Sequence, residues 1–252
     1  MKFVACFFLL SLVLVLTLTS CAGGYHSPAQ TVHRVYLLDC SASIAPKALD
    51  DAFHQVELQA DKMQRGDRIS VIPITSDSDT NAQGNILRMT VPLNRQPYDQ
   101  DLQVFRKTFR QALHVLHDHA RAHLFDKTDI LGSIDLAAQE FAPDDGHVQK
   151  RLIVLSDFIE EDGTLDFRTA PALAGENTAR QLAARLAKNV PQISTVRVFL
   201  GNLQSNELDR MPKARRQALR EFWLEYFKNE KTHPVFATDG PGMSAILAPD
   251  SR

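Results

Sequence analysis

Three oxygen-bearing side chains stand at alternate positions in Asp39-Cys40-Ser41-Ala42-Ser43, directly after the apolar run Val35-Tyr36-Leu37-Leu38. The run has the length and the β-branched and aromatic content of a strand buried on both faces. A strand that stops at a carboxylate and two hydroxyls places those oxygens at the carboxyl edge of a sheet. Open α/β sheets bind their ligands at that edge. Oxygen-only donors suit a small hard cation such as Mg²⁺. The competing reading is local: Asp39 and Ser41 cap the following helix. Two further oxygen groups stand in similar places. Thr128 precedes a helix, and Asp157 ends the apolar run Leu152-Ile153-Val154-Leu155-Ser156. Asp39, Ser41, Ser43, Thr128 and Asp157 meet at one edge if the strands ending at Asp39 and Asp157 are neighbours.

The elements that must position them follow from periodicity. Leu49, Ala52, Phe53, Val56, Ala60 and Met63 mark one face of a helix, closed by Gly66. Arg68 to Thr75 reads as a strand, with Pro73 hinting that pairing loosens near its end. Ile86 to Leu93 alternates like a half-exposed edge strand, and the intervening loop is too short for a helical crossover, so the two pair antiparallel. A long helix is expected from about Tyr98 to His123, and another from Thr128-Asp129 onward. Arg151 to Ser156 is a strand, followed by a long acidic loop. Ala179 to Leu186 is a helix, Thr195 to Leu200 a strand, the segment around Leu219 to Phe227 a helix, and Pro234 to Thr238 a last strand. The alternation implies a doubly wound, mostly parallel six-stranded sheet with one antiparallel edge strand and helices on both faces.

With the residues laid out this way, the chain resembles a von Willebrand factor type A (VWA) domain with a metal-ion-dependent adhesion site. Val-Tyr-Leu-Leu-Asp39-Cys-Ser41-Ala-Ser43, Lys-Thr128-Asp-Ile-Leu-Gly-Ser-Ile and Leu-Ile-Val-Leu-Ser-Asp157 match that site's three segments in order. The resemblance spans about Val32 to Asp239. It implies that Ser41, Ser43 and Thr128 ligate Mg²⁺ (with Mn²⁺ or Ca²⁺ as alternatives), that Asp39 and Asp157 act mostly through water, and that an Asp or Glu of a protein partner completes the sphere. It implies binding, not catalysis. Phe158 departs from the pattern, since many members carry Gly there. Glu160, Glu161, Asp162 and Asp166 lie in the loop after Asp157 and read as a solvated acidic surface, or as acids flanking the site that repel wrong partners or donate an internal carboxylate, with Glu160, Glu161 and Asp162 as a partner-contact loop.

The N-terminus carries a separate signal. Lys2 precedes the apolar stretch Phe3 to Leu16, and small and polar residues follow, as in a secretory signal over residues 1–20. Leu18-Thr19-Ser20-Cys21 resembles a bacterial lipobox, which implies a lipidated, palmitate-bearing Cys21, a tether over residues 21–31 and one domain over 32–252. The expected location is the bacterial cell envelope, with the outer membrane favoured by Ala22 if the source is Gram-negative. Of three cysteines, Cys6 leaves with the signal, Cys21 carries lipid, and Cys40 stands alone as a small core residue.

Other signals have plainer readings. A net charge of −2 argues against a nucleic-acid surface. His114, His117, His119 and His123 fit a solvated helix face, since no H-E-x-x-H motif is present. Asp77, Asp79 and Asn81 begin like a calcium loop but lack its glycine, Ala82 standing there. Trp223 and its neighbours fall on one helical face and belong in the core. The residues leave two rivals to a binding protein: a metal-dependent phosphoesterase-like hydrolase and a structural envelope module. No nucleophile or general base of recognisable spacing supports the hydrolase.

Overall fold

The computed structural model describes residues 31–78, 85–94, 96, 99–144, 146–228 and 234–237. The expected signal segment, Cys21 and the tether up to residue 30 lie outside them, as do Asp79, Asn81, Ala82 and the residues after 237. Among the described residues, no helix is long and apolar enough to cross a membrane.

Six strands form one sheet in the order β3-β2-β1-β4-β5-β6. They are β1 (Val32–Asp39), β2 (Arg68–Ile74), β3 (Leu87–Thr90), β4 (Gln149–Ser156), β5 (Arg197–Asn202) and β6 (Val235–Ala237). All pairings are parallel except β2 with β3. The antiparallel edge strand therefore sits where the short loop requires it. Pro73 lies opposite Leu38 of β1, whereas β3 runs beside β2 only from Arg68 to Val71. The missing proline N–H thus falls where one side of the strand is already unpaired.

The larger helices are α1 (Pro46–Ala60), α2 (Gln100–Ala122), α3 (Ile130–Phe141), α4 (Glu176–Leu186) and α6 (Lys213–Tyr226); α5 (Asn206–Arg210) is short. They enclose two cores, one on each face of the sheet. Val35 and Leu37 of β1 join Ile134, Leu182, Phe222 and Trp223 on one face. Tyr36, Leu38 and Cys40 join Phe53, Phe105 and Phe109 on the other. Alternating side chains of one buried strand thus feed both layers, which is why β1 shows no polar phase. Cys40 is fully buried in the second core, where burial and the neighbouring Asp39 push its thiol pKa up.

The strand order makes β1 the switch point. From β1 the chain crosses to β2 on one side, while β4 returns to pair on the other. The crevice at the carboxyl ends of β1 and β4 is where this topology opens a ligand site.

Candidate functional site

The register of β1 and β4 builds the site. Leu38 pairs with Leu155, so Asp39 ends β1 beside Ser156, and Asp157 follows at once. Asp39 is fully buried and Asp157 is 1 % exposed. The Asp39 Oδ1 accepts the Ser41 N–H at 2.9 Å, and its Oδ2 accepts the Ser156 hydroxyl at 2.6 Å. The Asp157 Oδ1 accepts the Ile159 N–H at 3.0 Å, and its Oδ2 accepts the Ser43 hydroxyl at 3.1 Å. Ser41 and Ser43 share a hydroxyl–hydroxyl hydrogen bond of 2.9 Å.

Thr128 reaches the same place through backbone pairing. Ala42 N–H donates to Phe125 and Phe125 N–H to Cys40, so the segment leading to Thr128 lies along the opening loop. Thr128 and Glu161 then exchange both backbone hydrogen bonds, at 3.1 and 2.8 Å. Ser41, Ser43 and Thr128 line one open cleft of about 180 Å³ together with Asp126, Glu161 and Glu207. All five expected residues are brought to one edge. The hydroxyls face the cleft, and the two carboxylates stand behind them.

Burial dominates the electrostatics. Loss of water around Asp157, reinforced by the charge of Asp39, pushes its carboxyl pKa up to about 7. Burial also raises Asp39, against hydrogen bonds from Ser156 and Ser41. Among the described residues, no Lys, Arg or His forms an ion pair with either carboxylate. Two adjacent buried carboxylates without a countercharge are costly. A divalent cation held by the three hydroxyls would compensate them, and hard oxygens are the donors Mg²⁺ takes. The residues present fit such an ion.

Two partners escaped the sequence. Ser156 positions Asp39 and also accepts the Phe158 N–H at 2.8 Å. Ser205, 1 % exposed, contacts Asp157 through its hydroxyl and caps α5 by accepting the Leu208 N–H at 3.0 Å. The signal for Ser205 was present as the cap pattern Ser-Asn-Glu-Leu. Its proximity to Asp157 depends on the Ile44–Ser205 bridge, which local sequence does not encode.

The loop after Asp157 differs from an exposed acidic surface. Glu160 is fully buried, so it cannot serve as a partner contact; only Glu161 and Asp162 reach solvent. The Glu160 Oε2 accepts the Ile130 and Leu131 N–H groups at 2.9 and 3.1 Å, at the start of α3. Phe158 has φ 65°, the left-handed region that favours glycine. Its ring does not cover the cleft. It packs in the core 4.9 Å from Phe236 and 5.9 Å from Trp223, whose indole N–H donates to the Phe158 carbonyl at 2.9 Å. The aromatic contacts offset a backbone penalty of about 1–2 kcal/mol.

Solved VWA domains are among the structures similar in fold to this chain. The von Willebrand factor type A protein from Catenulispora acidiphila is 16% identical, with 86% of this chain and 41% of that one covered and a TM-score of 0.49. An aerotolerance-related membrane protein from Bacteroides fragilis is 15% identical, with 85% and 96% covered and a TM-score of 0.48. The pilus adhesin SpaC of Lactobacillus rhamnosus GG is 11% identical, with 88% and 30% covered and a TM-score of 0.50. At such identities the likeness concerns fold alone. No protein-family model and no curated protein matches the sequence.

Proposed function

We propose that this chain is an envelope-anchored binding protein that captures an acidic side chain of a protein partner through a divalent cation. The cation would be held by Ser41, Ser43 and Thr128, with Asp39 and Asp157 behind them, and Cys21 would carry the lipid anchor. One observation carries this reading: five oxygen-bearing residues from three distant segments gather at one sheet edge, three hydroxyl residues lining an open cleft and two buried carboxylates behind them that have no ion-pair partner among the described residues. When bound, the cation supplies an electrophilic coordination position that a partner's carboxylate completes.

The chain's own groups set the selectivity. Ser41 and Ser43 present neutral oxygens to the cleft, leaving the cation's charge available to an incoming anion. Asp39, fixed by Ser156 and the Ser41 N–H, keeps the opening loop in place. Glu161 and Glu207, beside the cleft, are bridged by the guanidinium of Arg168 at 2.5 and 3.4 Å. The same guanidinium also holds Asp166 at 3.0 Å, so it offsets only part of the negative charge that would repel an acidic partner.

The test is a crosslinking pulldown from intact envelopes with the full-length chain, run in Mg²⁺ and in chelator. Capture that needs Mg²⁺ and disappears in Asp39→Ala supports the reading. Equal capture in chelator, or by Asp39→Ala, overturns it. Hydrolysis of a phosphoester panel that depends on Asp157 would assign the site to an enzyme instead.

A further inference from the structure

A second group of carboxylates lies behind Thr128, outside the five-residue cleft. One oxygen from each of Asp129, Glu160 and Asp162 lies within 4.8 Å of the others. A trio of acids is common on protein surfaces and by itself indicates nothing. Here the central member is fully buried, and its second oxygen, Oε1, has no hydrogen-bond partner. The Oε2 is already occupied by the two N–H groups opening α3. The unpaired oxygen therefore belongs to a carboxylate whose other half is fixed and which has two more carboxylates beside it. Leaving such an oxygen dry and unpaired is unfavourable unless a proton or a cation meets it.

The surroundings hold the three groups in place. Asp129 accepts the Gly132 N–H at 2.7 Å and the Ser78 N–H at 2.9 Å. A Cβ on Gly132 would sit 2.2 Å from an Asp129 oxygen, so glycine leaves the space that this carboxylate occupies. Asp162 accepts the Leu165 N–H at 2.6 Å. The backbone exchange between Thr128 and Glu161 clamps the two segments side by side. The three donors are oxygen-only, anionic and all supplied by protein side chains, the kind of set Ca²⁺ takes, whereas Mg²⁺ dehydrates reluctantly and keeps several waters.

We infer that Asp129, Glu160 and Asp162 form a second divalent-cation site, able to take Ca²⁺, that ties the Thr128 segment to the loop after Asp157. It is independent of the Ser41–Ser43 cleft: the donors differ, and the cation would bridge the flanks of that cleft without entering it. Its effect on the first site is positional, because Thr128 lies between the clamp and the cleft.

Calcium titration by calorimetry on the full-length chain tests this. Ser41→Ala/Ser43→Ala removes donors of the cleft while sparing the trio. That double variant is expected to retain one Ca²⁺ equivalent. Adding Asp162→Asn, which preserves the oxygen accepting the Leu165 N–H, is expected to weaken the retained binding at least tenfold. Glu160→Gln in the same background is expected to abolish it. Calcium binding unchanged by both substitutions overturns the inference. So does a double variant that folds, as judged by its circular dichroism, yet takes up no Ca²⁺; in that case the oxygen is met by a proton. Neither outcome bears on Mg²⁺-dependent partner capture, which is read separately.

Discussion

The two ends of the central strands bury carboxylates in opposite ways. At the amino ends, each has a basic partner. Asp67 accepts from the Arg34 guanidinium at 2.9 Å, and both are buried. Asp144 meets His33 at 2.7 Å and Arg68 at 2.5 Å. Glu140 holds Arg88 through both its oxygens, at 2.7 to 3.0 Å. At the carboxyl ends, Asp39, Asp157 and Glu160 are as deeply buried but receive only N–H and hydroxyl donors. The same sheet thus closes its charge balance at one end and leaves it open at the other. An internal ion pair stabilises geometry; an unbalanced cluster is a place where an external cation contributes.

The largest expected effect comes from breaking the balanced end. Arg34→Ala leaves Asp67 buried without its countercharge, which costs about 3–5 kcal/mol. Urea unfolding would show this loss, and Mg²⁺ should not alter it. A loss that Mg²⁺ relieves would mean that the two ends are coupled, and the contrast would fail.

At the open end the sign is different. Asp157→Asn removes a charge that burial already disfavours, so the metal-free chain should be no less stable. The Mg²⁺-induced rise in melting temperature should shrink, with cation affinity falling about 10–100-fold, the usual effect of losing a group that orients a metal's ligands. Destabilisation matching Arg34→Ala would show that Asp157 has a countercharge after all.

Acid distinguishes the balanced end further. Burial lowers the His33 pKa below 6.5, although Asp144 opposes this. A depressed folded-state pKa contributes stability that is complete above the unfolded value and is lost as pH falls through the folded one. Stability should therefore decline on acidification below about pH 6.5. His33→Gln should flatten this decline by removing the titrating ring. Equal slopes in urea midpoints measured from pH 7.5 to pH 5 would exclude His33 as the source.

Much of the contrast was legible in the sequence, unevenly. Val35 to Leu38 and Leu152 to Leu155 announce buried strands because both faces are apolar, and the hydroxyls and acids after them mark an edge. The antiparallel β3 follows from loop length. A run of acids looks solvated, yet Glu160 is buried, its carboxylate met by the N–H groups of α3 thirty residues earlier. Helix α5 spans too few residues for periodicity to register. The charge balance at the amino end depends on register: His33 pairs opposite Arg68, and Ser70 follows two positions later. None of these distances is local, so residue types alone could not separate a paired carboxylate from an unpaired one.

The smallest effect gives the closest comparison, because a serine at each end does the same work. Ser156 donates to Asp39 at 2.6 Å, and Ser70 donates to Glu140 at 2.8 Å. Alanine at either removes a buried hydroxyl–carboxylate hydrogen bond worth about 1–3 kcal/mol. At Ser70 the carboxylate keeps Arg88, while the His33 Nε2 loses its 3.3 Å contact with the Ser70 hydroxyl, so the change should cost stability alone. At Ser156 the carboxylate keeps only uncharged donors from Ser41 and the Asp157 backbone, and the Phe158 N–H also loses its acceptor. Ser156→Ala should therefore cost more stability and also weaken the Mg²⁺ response several-fold, with Ser70→Ala leaving that response untouched. Thermal melts of both variants with and without Mg²⁺ decide the matter. Equal Mg²⁺ responses would show that the donors from Ser41 and the Asp157 backbone orient Asp39 without the Ser156 hydroxyl.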